Sequence, residues 1–154
     1  MPMVGLGTYN VKEKDSMVRA ILEADYRHLD TAVRYANEEF VGAAIKEALG
    51  KSEGRIKQKD LFVTTKIWQD QYNDPEAAIR GSLAKLGLDY VDLYLIHWPA
   101  GFFSTPLKVP MHHLWKDMES LVEKGLTRSI GVSNFNIQLL SDLLCYARIK
   151  PVCN

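Results

Sequence analysis

Hydrophobic residues follow two different spacings along the chain, and the two spacings alternate. Short apolar runs predict strands, and longer segments in which apolar residues recur every three or four positions predict helices. In chain order, the runs place strands at 4–8, 28–30, 61–67, 90–98 and 127–134, with the start of a sixth at 150–154. The helical spacing places helices at 14–24, 37–49, 75–86, 112–124 and 137–148.

Strand and helix therefore alternate five times, with short connections between them. This order predicts a parallel sheet joined by right-handed helical crossovers, that is, an α/β fold. A closed eight-stranded barrel needs about 250 residues, and this chain has 154. We therefore expect residues 1–154 to form a single incomplete domain.

The predicted second helix has a polar start and an apolar face. Asn37 is predicted to cap it, with Glu38 and Glu39 favourably placed at the positive end of the helix dipole. Its buried face is predicted to comprise Phe40, Val41, Ala44, Ile45, Ala48 and Leu49. Asp74 followed by Pro75 predicts the start of the third helix, because proline suits the first helical position.

The charge balance argues against two classes of partner. The chain has 19 Lys and Arg and 19 Asp and Glu, so its net charge is zero, and nothing indicates a nucleic-acid or anionic-membrane partner. The 47% of hydrophobic residues is typical of a globular protein. No apolar run approaches the roughly 20 residues that span a bilayer, and the N-terminus shows no secretory signal.

The cysteines and histidines give no sign of a disulfide framework or a metal site. Cys145 and Cys153 lack C-x-x-C spacing and are predicted to be buried thiols of a reducing compartment, which makes the cytoplasm the expected location. His112 and His113 are predicted to lie on the surface at a helix start. Adjacent helical residues point apart and no third ligand stands near, so no metal is expected.

Four polar residues lie where predicted strands end, or just beyond. They are Asp30, Tyr35, Lys66 and His97. Each has an ordinary structural explanation: a capping aspartate, a packed tyrosine, a solvated lysine or a satisfied core histidine. However, the carboxyl ends of parallel strands meet at one edge of a sheet, where α/β folds place their sites. The expected convergence of all four favours a site that handles protons.

Tyr35 is the candidate general acid of this set. A free phenol has a pKa of about 10 and is a poor proton donor at neutral pH unless something favours the phenolate. The Lys66 ammonium would favour it, and Asp30 would supply the counter-charge that an enclosed lysine needs. His97 is placed to hydrogen-bond a substrate oxygen or to share the proton.

Several segments resemble signatures of the aldo-keto reductase family, in the expected order and over essentially the whole chain. They are Gly-Leu-Gly-Thr at 5–8, Asp-Thr-Ala-Val-Arg-Tyr at 30–35, Thr-Lys-Ile-Trp at 65–68, Ser-Leu-Ala-Lys-Leu-Gly-Leu-Asp-Tyr at 82–90, Asp-Leu-Tyr-Leu-Ile-His-Trp-Pro at 92–99 and Ile-Gly-Val-Ser-Asn-Phe at 130–135. The resemblance implies a TIM-type (β/α)8 barrel, here truncated after about five β/α units and the start of strand six.

The resemblance also implies a reaction and a cofactor. The family reduces aldehydes or ketones to alcohols with NADP(H), bound extended and without a Rossmann domain; NAD(H) is the alternative cofactor. By this resemblance Tyr35 donates the proton to a small carbonyl substrate, Lys66 and Asp30 assist it, and His97 positions the carbonyl.

Further residues are assigned to the cofactor and substrate by the same resemblance. Ser133 and Asn134 would hold the nicotinamide carboxamide, and the alternative for them is a strand-to-helix cap. The residues that would line the cofactor and substrate mouth are Gly7, Thr8, Tyr9, Asp30, Tyr35, His97 and Trp98.

The chain also departs from the family pattern. Asp25 and Ala36 stand where relatives usually have glycine, and the segment at 100–109, which usually shapes substrate choice, is short. A glutamine, an aromatic residue for the nicotinamide and a basic cluster for the 2′-phosphate would all lie beyond Asn154. We therefore expect a cofactor site that is about half present. The alternative function is a non-catalytic fragment, or a structural or interaction subunit, completed by another copy or by a C-terminal half.

Overall fold

The computed structural model describes residues 1–99 and 108–154. It contains the strands β1 (Leu6–Gly7), β2 (His28–Asp30), β3 (Phe62–Ile67), β4 (Val91–Ile96) and β5 (Thr127–Val132). They form one parallel sheet in which each strand pairs with the next strand along the chain. Most of the predicted loop at 99–110, including the short segment assigned to substrate choice, lies outside the described residues.

Helices connect successive strands and follow the last one. They are α1 (Lys14–Leu22), α2 (Glu38–Lys51), α3 (Pro75–Leu86), α4 (Met111–Glu123) and α5 (Ile137–Tyr146). Single 3₁₀ turns lie at Val33–Tyr35, Gln58–Asp60 and Gln69–Gln71. This alternation confirms the predicted parallel α/β architecture. None of the helices in the two described ranges has the length and apolar character needed to cross a bilayer.

Four of the five strands are shorter than the apolar runs that predicted them, and only β2 keeps its predicted bounds. β1 pairs with β2 only through Leu6 and Gly7, while Val4, at the predicted start of the strand, is 66% exposed. Every residue of β4 is buried, as expected for a strand that is covered on both faces. The length of an apolar run therefore overestimates the length over which neighbouring strands pair.

The predicted sixth strand is present only as an irregular segment beside β5. Val152 donates a backbone hydrogen bond to Ile130 (3.0 Å), and Val132 donates to Cys153 (3.1 Å). A regular parallel ladder would return the second bond to Val152 itself. The one-residue offset explains why residues 150–154 lie along the sheet edge without forming a strand.

The start of α2 differs from its prediction in two ways. Asn37 precedes the helix, but its side chain makes no capping hydrogen bond. Its Oδ1, the atom that would cap the helix, accepts instead from the Thr31 hydroxyl at 3.2 Å, and its amide nitrogen donates to the carbonyl oxygens of Thr8 (2.7 Å) and Val11 (3.0 Å). Glu38 is buried, and Phe40, predicted to be buried, is 47% exposed. The helix therefore turns its first glutamate toward the sheet. The predicted third-helix start is confirmed, since Asp74 Oδ1 accepts from the Ala77 amide at 3.0 Å.

Two smaller sequence predictions also need correction. Cys145 is exposed and only Cys153 is partly buried; both thiols are free. Cys145 lies on the outward face of α5, so it is not a core thiol. His112 and His113 lie at the exposed start of α4 as predicted, but their rings contact each other, with centroids 4.3 Å apart, and do not point away from each other.

Close packing of α2 against α3 fixes how the loop before α2 is presented. A Cβ added at Gly42 would lie 2.5 Å from the carbonyl oxygen of Leu86 at the end of α3. Only glycine permits this approach. Because α2 is held against its neighbour here, its first turn is held at the carboxyl edge of the sheet.

Candidate active site

The structure brings the four predicted polar residues to one edge of the sheet. Asp30 is the last residue of β2, Lys66 is the next-to-last of β3, and His97 directly follows β4. Tyr35 ends the 3₁₀ turn between β2 and α2. The convergence expected from the strand ends is therefore observed, while the catalytic role of each residue stays a prediction.

Lys66 is the central residue of this cluster and is only 5% exposed. Its Nζ donates to Asp30 Oδ1 at 2.6 Å, to the Thr31 carbonyl oxygen at 2.9 Å and to the Tyr35 phenol oxygen at 3.3 Å. A lysine ammonium has three hydrogens, so each has one acceptor. Asp30 compensates the cost of burying the charge of this ammonium.

The Tyr35 phenol is half-buried and is held between several rings and the ammonium. Its ring lies 5.1 Å from that of Tyr9 and 5.7 Å from that of His97, both edge-on, and Lys66 Nζ stands 4.9 Å from its centroid. The phenol oxygen accepts from Lys66 and donates no hydrogen bond within the described residues. Its hydrogen is therefore available to an acceptor in the open mouth.

His97 is held in its neutral form. It is 8% exposed, and burial, assisted by the positive charge of Lys66, lowers its pKa to about 4. Its ring and that of Trp68 form a T-shaped contact, with centroids 5.1 Å apart. Its Nδ1 atom is buried and has no hydrogen-bond partner among residues 1–99 and 108–154. At neutral pH His97 is therefore a hydrogen-bonding group and carries no charge.

Ser133 and Asn134 lie directly beyond β5, beside His97. The Ser133 amide donates to the Ile96 carbonyl at 2.9 Å, and the Asn134 amide group donates to the His97 carbonyl and to Ser133 Oγ, each at 2.9 Å. The cap of α5 is Asn136, whose Oδ1 accepts from Leu139. The alternative interpretation of Ser133 and Asn134 as a helix cap is therefore wrong.

The remaining predicted mouth residues have different surroundings. Tyr9 is 65% exposed beside Tyr35, Gly7 is exposed at the end of β1, and Trp98 is half-buried with its carbonyl accepting from Tyr72 at 2.7 Å. Thr8 is fully buried and its hydroxyl donates to the Asp30 carbonyl at 3.1 Å. Thr8 thus supports the end of β2, and cofactor contacts by these residues stay predictions.

Two residues of the site, Thr31 and Trp68, received no role of their own from the sequence, and Asn37 received only the role of a helix cap. Asn37 ties its loop to the segment after β1, Thr31 supplies an acceptor for Lys66, and Trp68 forms a wall against His97. Trp68 also has the Arg34 guanidinium 5.6 Å above its ring. An aromatic residue two positions beyond a strand-end lysine was a usable signal, whereas nothing in the pattern marked Thr31.

No metal centre is formed by the part of the chain that the structure describes, since it brings together no group of three or more His, Cys, Asp or Glu residues able to hold an ion. The polar site is held together by hydrogen bonds and by the ion pair of Lys66 with Asp30.

The fold and site define an α/β protein of the TIM-barrel type, here with five of its parallel strands and with the polar cluster at their carboxyl edge, where such folds place active sites. The model of the Aldo/keto reductase family matches residues 3–154. The chain belongs to this family.

Individual relatives agree with this assignment. Aldose reductase B of Dictyostelium discoideum is 43% identical over 177 aligned positions, which cover 100% of this chain and 56% of the relative. The structure of the aldose reductase of Schistosoma japonicum matches with a TM-score of 0.88 and 41% identity, over 98% of this chain and 55% of that one. The chain thus spans about half the length of the relatives it matches.

A third relative was solved with a ligand. It is the aldo-keto reductase of Bombyx mori in complex with NADP, with a TM-score of 0.88 and 40% identity, over 99% of this chain and 53% of that one.

Proposed function

We propose that the protein containing this chain reduces small aldehydes or ketones to alcohols with NADPH, and that Tyr35 donates the proton. One observation carries the proposal: the buried Lys66 ammonium donates to the Tyr35 oxygen, to Asp30 and to Thr31. This pattern leaves the phenol hydrogen free and places a positive charge beside the oxygen that would become negative.

The residues beyond β5 fit the carboxamide of a nicotinamide. Within residues 1–99 and 108–154, the Ser133 oxygen accepts from Asn134, which leaves its hydroxyl hydrogen able to donate. Both side-chain bonds of Asn134 there come from its amide nitrogen, which leaves Oδ1 able to accept. A carboxamide needs one such donor and one such acceptor. The NADP complex of the Bombyx mori relative supports this choice of cofactor.

Bound NADPH would supply a hydride to the carbonyl carbon of the substrate. As that C–H bond forms, the carbonyl π electrons move to oxygen, the Tyr35 O–H bond breaks, and its proton joins the oxygen to give the alcohol. The Lys66 N–H stabilises the phenolate left behind, and Asp30 keeps the ammonium in place. Such proton transfer contributes roughly 10²–10⁴-fold to the rate.

His97 would orient the carbonyl in this scheme. We assign the Nε2–H tautomer, because it leaves only a lone pair on the buried, unpartnered Nδ1, and an unpaired acceptor is tolerated better than an unpaired donor. The neutral ring then donates Nε2–H to the carbonyl oxygen. Its lowered pKa keeps it from competing with Tyr35 as the acid.

The test is consumption of NADPH, and separately of NADH, with an activated aromatic aldehyde. Wild-type protein is expected to turn over, and Tyr35→Phe is expected to lose at least about 100-fold in kcat. The control is Tyr90→Phe, which removes a tyrosine hydroxyl just before β4, at the edge of the sheet away from the site. That hydroxyl accepts from Arg128, and the variant is expected to keep the wild-type rate. Retention of most of the rate by Tyr35→Phe would overturn the assignment of the acid.

The second candidate is a structural or interaction subunit that keeps the scaffold without turnover. It is favoured by large apolar side chains that stand exposed on α5 and in the segment after it, Ile137 (80%), Leu144 (42%) and Val152 (60%). This candidate predicts stable association with another protein, and no turnover by the wild-type protein, Tyr35→Phe or Tyr90→Phe. For both candidates we propose the cytoplasm as the compartment, on the basis of the two unpaired cysteines.

A further inference from the structure

Glu38, the first residue of α2, is a buried carboxylate outside the polar cluster described above. It is 2% exposed, and its Oε1 accepts from the Thr65 hydroxyl at 2.7 Å. Its other oxygen, Oε2, is buried and has no hydrogen-bond partner in the described ranges. Burying a carboxylate with one oxygen unpaired costs stability, so packing alone does not account for its position.

The hydrogen bond between Glu38 and Thr65 joins the two segments that carry Tyr35 and Lys66. Glu38 lies three positions after Tyr35, and Thr65 directly precedes Lys66. Because successive side chains of a strand point to opposite faces, Thr65 faces the helices while Lys66 faces the interior of the sheet. The Glu38–Thr65 bond on the outer face and the Lys66–Tyr35 bond on the inner face thus join the same two segments.

The neighbourhood of Glu38 is polar where an apolar layer would pack better. Tyr94 of β4 buries a hydroxyl that has no hydrogen-bond partner within residues 1–99 and 108–154. Tyr94 pairs in register with Thr65, and its pKa is raised by burial first and then by Glu38, which places the two side chains within electrostatic reach. Several polar groups are therefore kept in this layer at a cost in stability.

We infer that Glu38 is a positioning residue, whose bond to Thr65 holds Tyr35 at hydrogen-bonding distance from Lys66. The inference rests on the proposed function. The Lys66–Tyr35 bond measures 3.3 Å, at the long end for a hydrogen bond, so a small shift of either segment would break it. The Glu38–Thr65 bond is the shorter of the two and sets their separation.

Thr65→Val tests this inference because it removes the hydroxyl and keeps the shape. The first readout is the ultraviolet titration of the Tyr35 phenol, isolated by subtracting the spectrum of Tyr35→Phe in the same background. Lys66 from β3, His97 and Tyr9 face this phenol, and all remain in the variant, as does Asp30 behind Lys66. The titration is expected to move to higher pH in Thr65→Val, because the ammonium no longer sits at the phenol oxygen.

Turnover gives the second readout. Thr65→Val is expected to lower kcat by about 10-fold or more. KM and the dissociation constant of NADPH are expected to change less than about twofold. The pH–rate profile is expected to move in the same direction as the titration. Glu38→Gln keeps an acceptor for Thr65 and is expected to retain the wild-type rate and titration. The matched control is Glu39→Gln, the exposed neighbour in the same helical turn, which is expected to change neither.

Two outcomes would overturn the inference. One is a wild-type titration in Thr65→Val; the other is a lower rate with an unchanged titration, which indicates a structural role. The proposed function fails separately, when the wild-type protein shows no turnover with NADPH or NADH. The titration still decides the inference in that case, since it needs no activity.

Discussion

Lys66 and Tyr35 are joined by a hydrogen bond with a defined direction: the ammonium donates to the phenol oxygen over 3.3 Å. The same ammonium donates to Asp30 and to the Thr31 carbonyl, so none of its three hydrogens is spare. A change at any one acceptor therefore alters where the positive charge stands relative to the phenol.

Asp30→Asn is expected to lower the free energy of unfolding by about 3 kcal/mol, because it leaves the buried Lys66 ammonium without a counter-charge. Urea unfolding measures this loss. The control is Asp25→Asn, which removes the ion pair between Asp25 and Arg27. This pair has a similar length, but its aspartate is 86% exposed, so its loss should lower the free energy of unfolding by less than about 1 kcal/mol.

The double variant Asp30→Asn/Lys66→Met should recover part of that loss, since it removes the unpaired charge along with its partner. Strictly additive losses would contradict the buried pair as described.

The stability of the protein is expected to fall between about pH 6.5 and pH 4 on account of His97. Burial lowers the folded-state pKa of His97 to about 4, whereas an unfolded histidine titrates at about 6.5. Over this window the unfolded chain binds more protons, so acidification favours unfolding. Urea unfolding at several pH values should show a smaller loss in His97→Gln than in wild type, and parallel curves would refute the assignment.

Ala36→Gly is expected to stabilise the fold by about 0.5 kcal/mol, which corresponds to a rise in Tm of roughly 2 °C. Ala36 has φ of 54°, a left-handed conformation that costs a residue with a Cβ about 1–2 kcal/mol, and the greater freedom of glycine in the unfolded chain offsets part of the gain. Thermal unfolding followed by circular dichroism measures the change.

The control for this substitution is Ala43→Gly at an exposed position within α2, which should lower stability by about 1 kcal/mol. The same sign of effect at both positions would show that the backbone of Ala36 is not strained.

Ser133→Ala is expected to weaken NADPH binding about fivefold, the equivalent of one hydrogen bond of about 1 kcal/mol. Quenching of tryptophan fluorescence gives the dissociation constant, and Trp68 lies close enough to the site to serve as the reporter. Ser141→Ala, on the exposed side of α5, is the matched control. Equal affinities for wild type and Ser133→Ala would mean that this hydroxyl does not hold the carboxamide.

The sequence predicted the convergence of Asp30, Lys66 and His97 because all three lie at or just beyond the carboxyl ends of strands. Parallel strands bring these ends to one edge of the sheet. The pairing of β1 to β5 in chain order follows from the same rule of short crossovers. Tyr35 could be placed because only a few residues separate it from Asp30.

The sequence failed where one residue type suits two environments. Asn37 has the chemistry and place of a helix cap, but tertiary acceptors 26 and 29 positions earlier take its amide. Glu38 is buried and Phe40 is exposed, the reverse of what their residue types predict, because α2 packs against both α1 and α3 and its own pattern does not decide which face it buries. Such contacts join segments that are distant in sequence, so they cannot be predicted from the local spacing of apolar residues.

The Asn37 amide has one more consequence, which concerns motion. Its bonds to Thr8 and Val11 and the bond it accepts from Thr31 tie the segment after β1 to the loop that carries Tyr35. Neither segment can open locally without releasing the other, so their backbone amides should exchange with deuterium at a common rate. The segment that carries Tyr9 and the loop that carries Tyr35 would then open and close together.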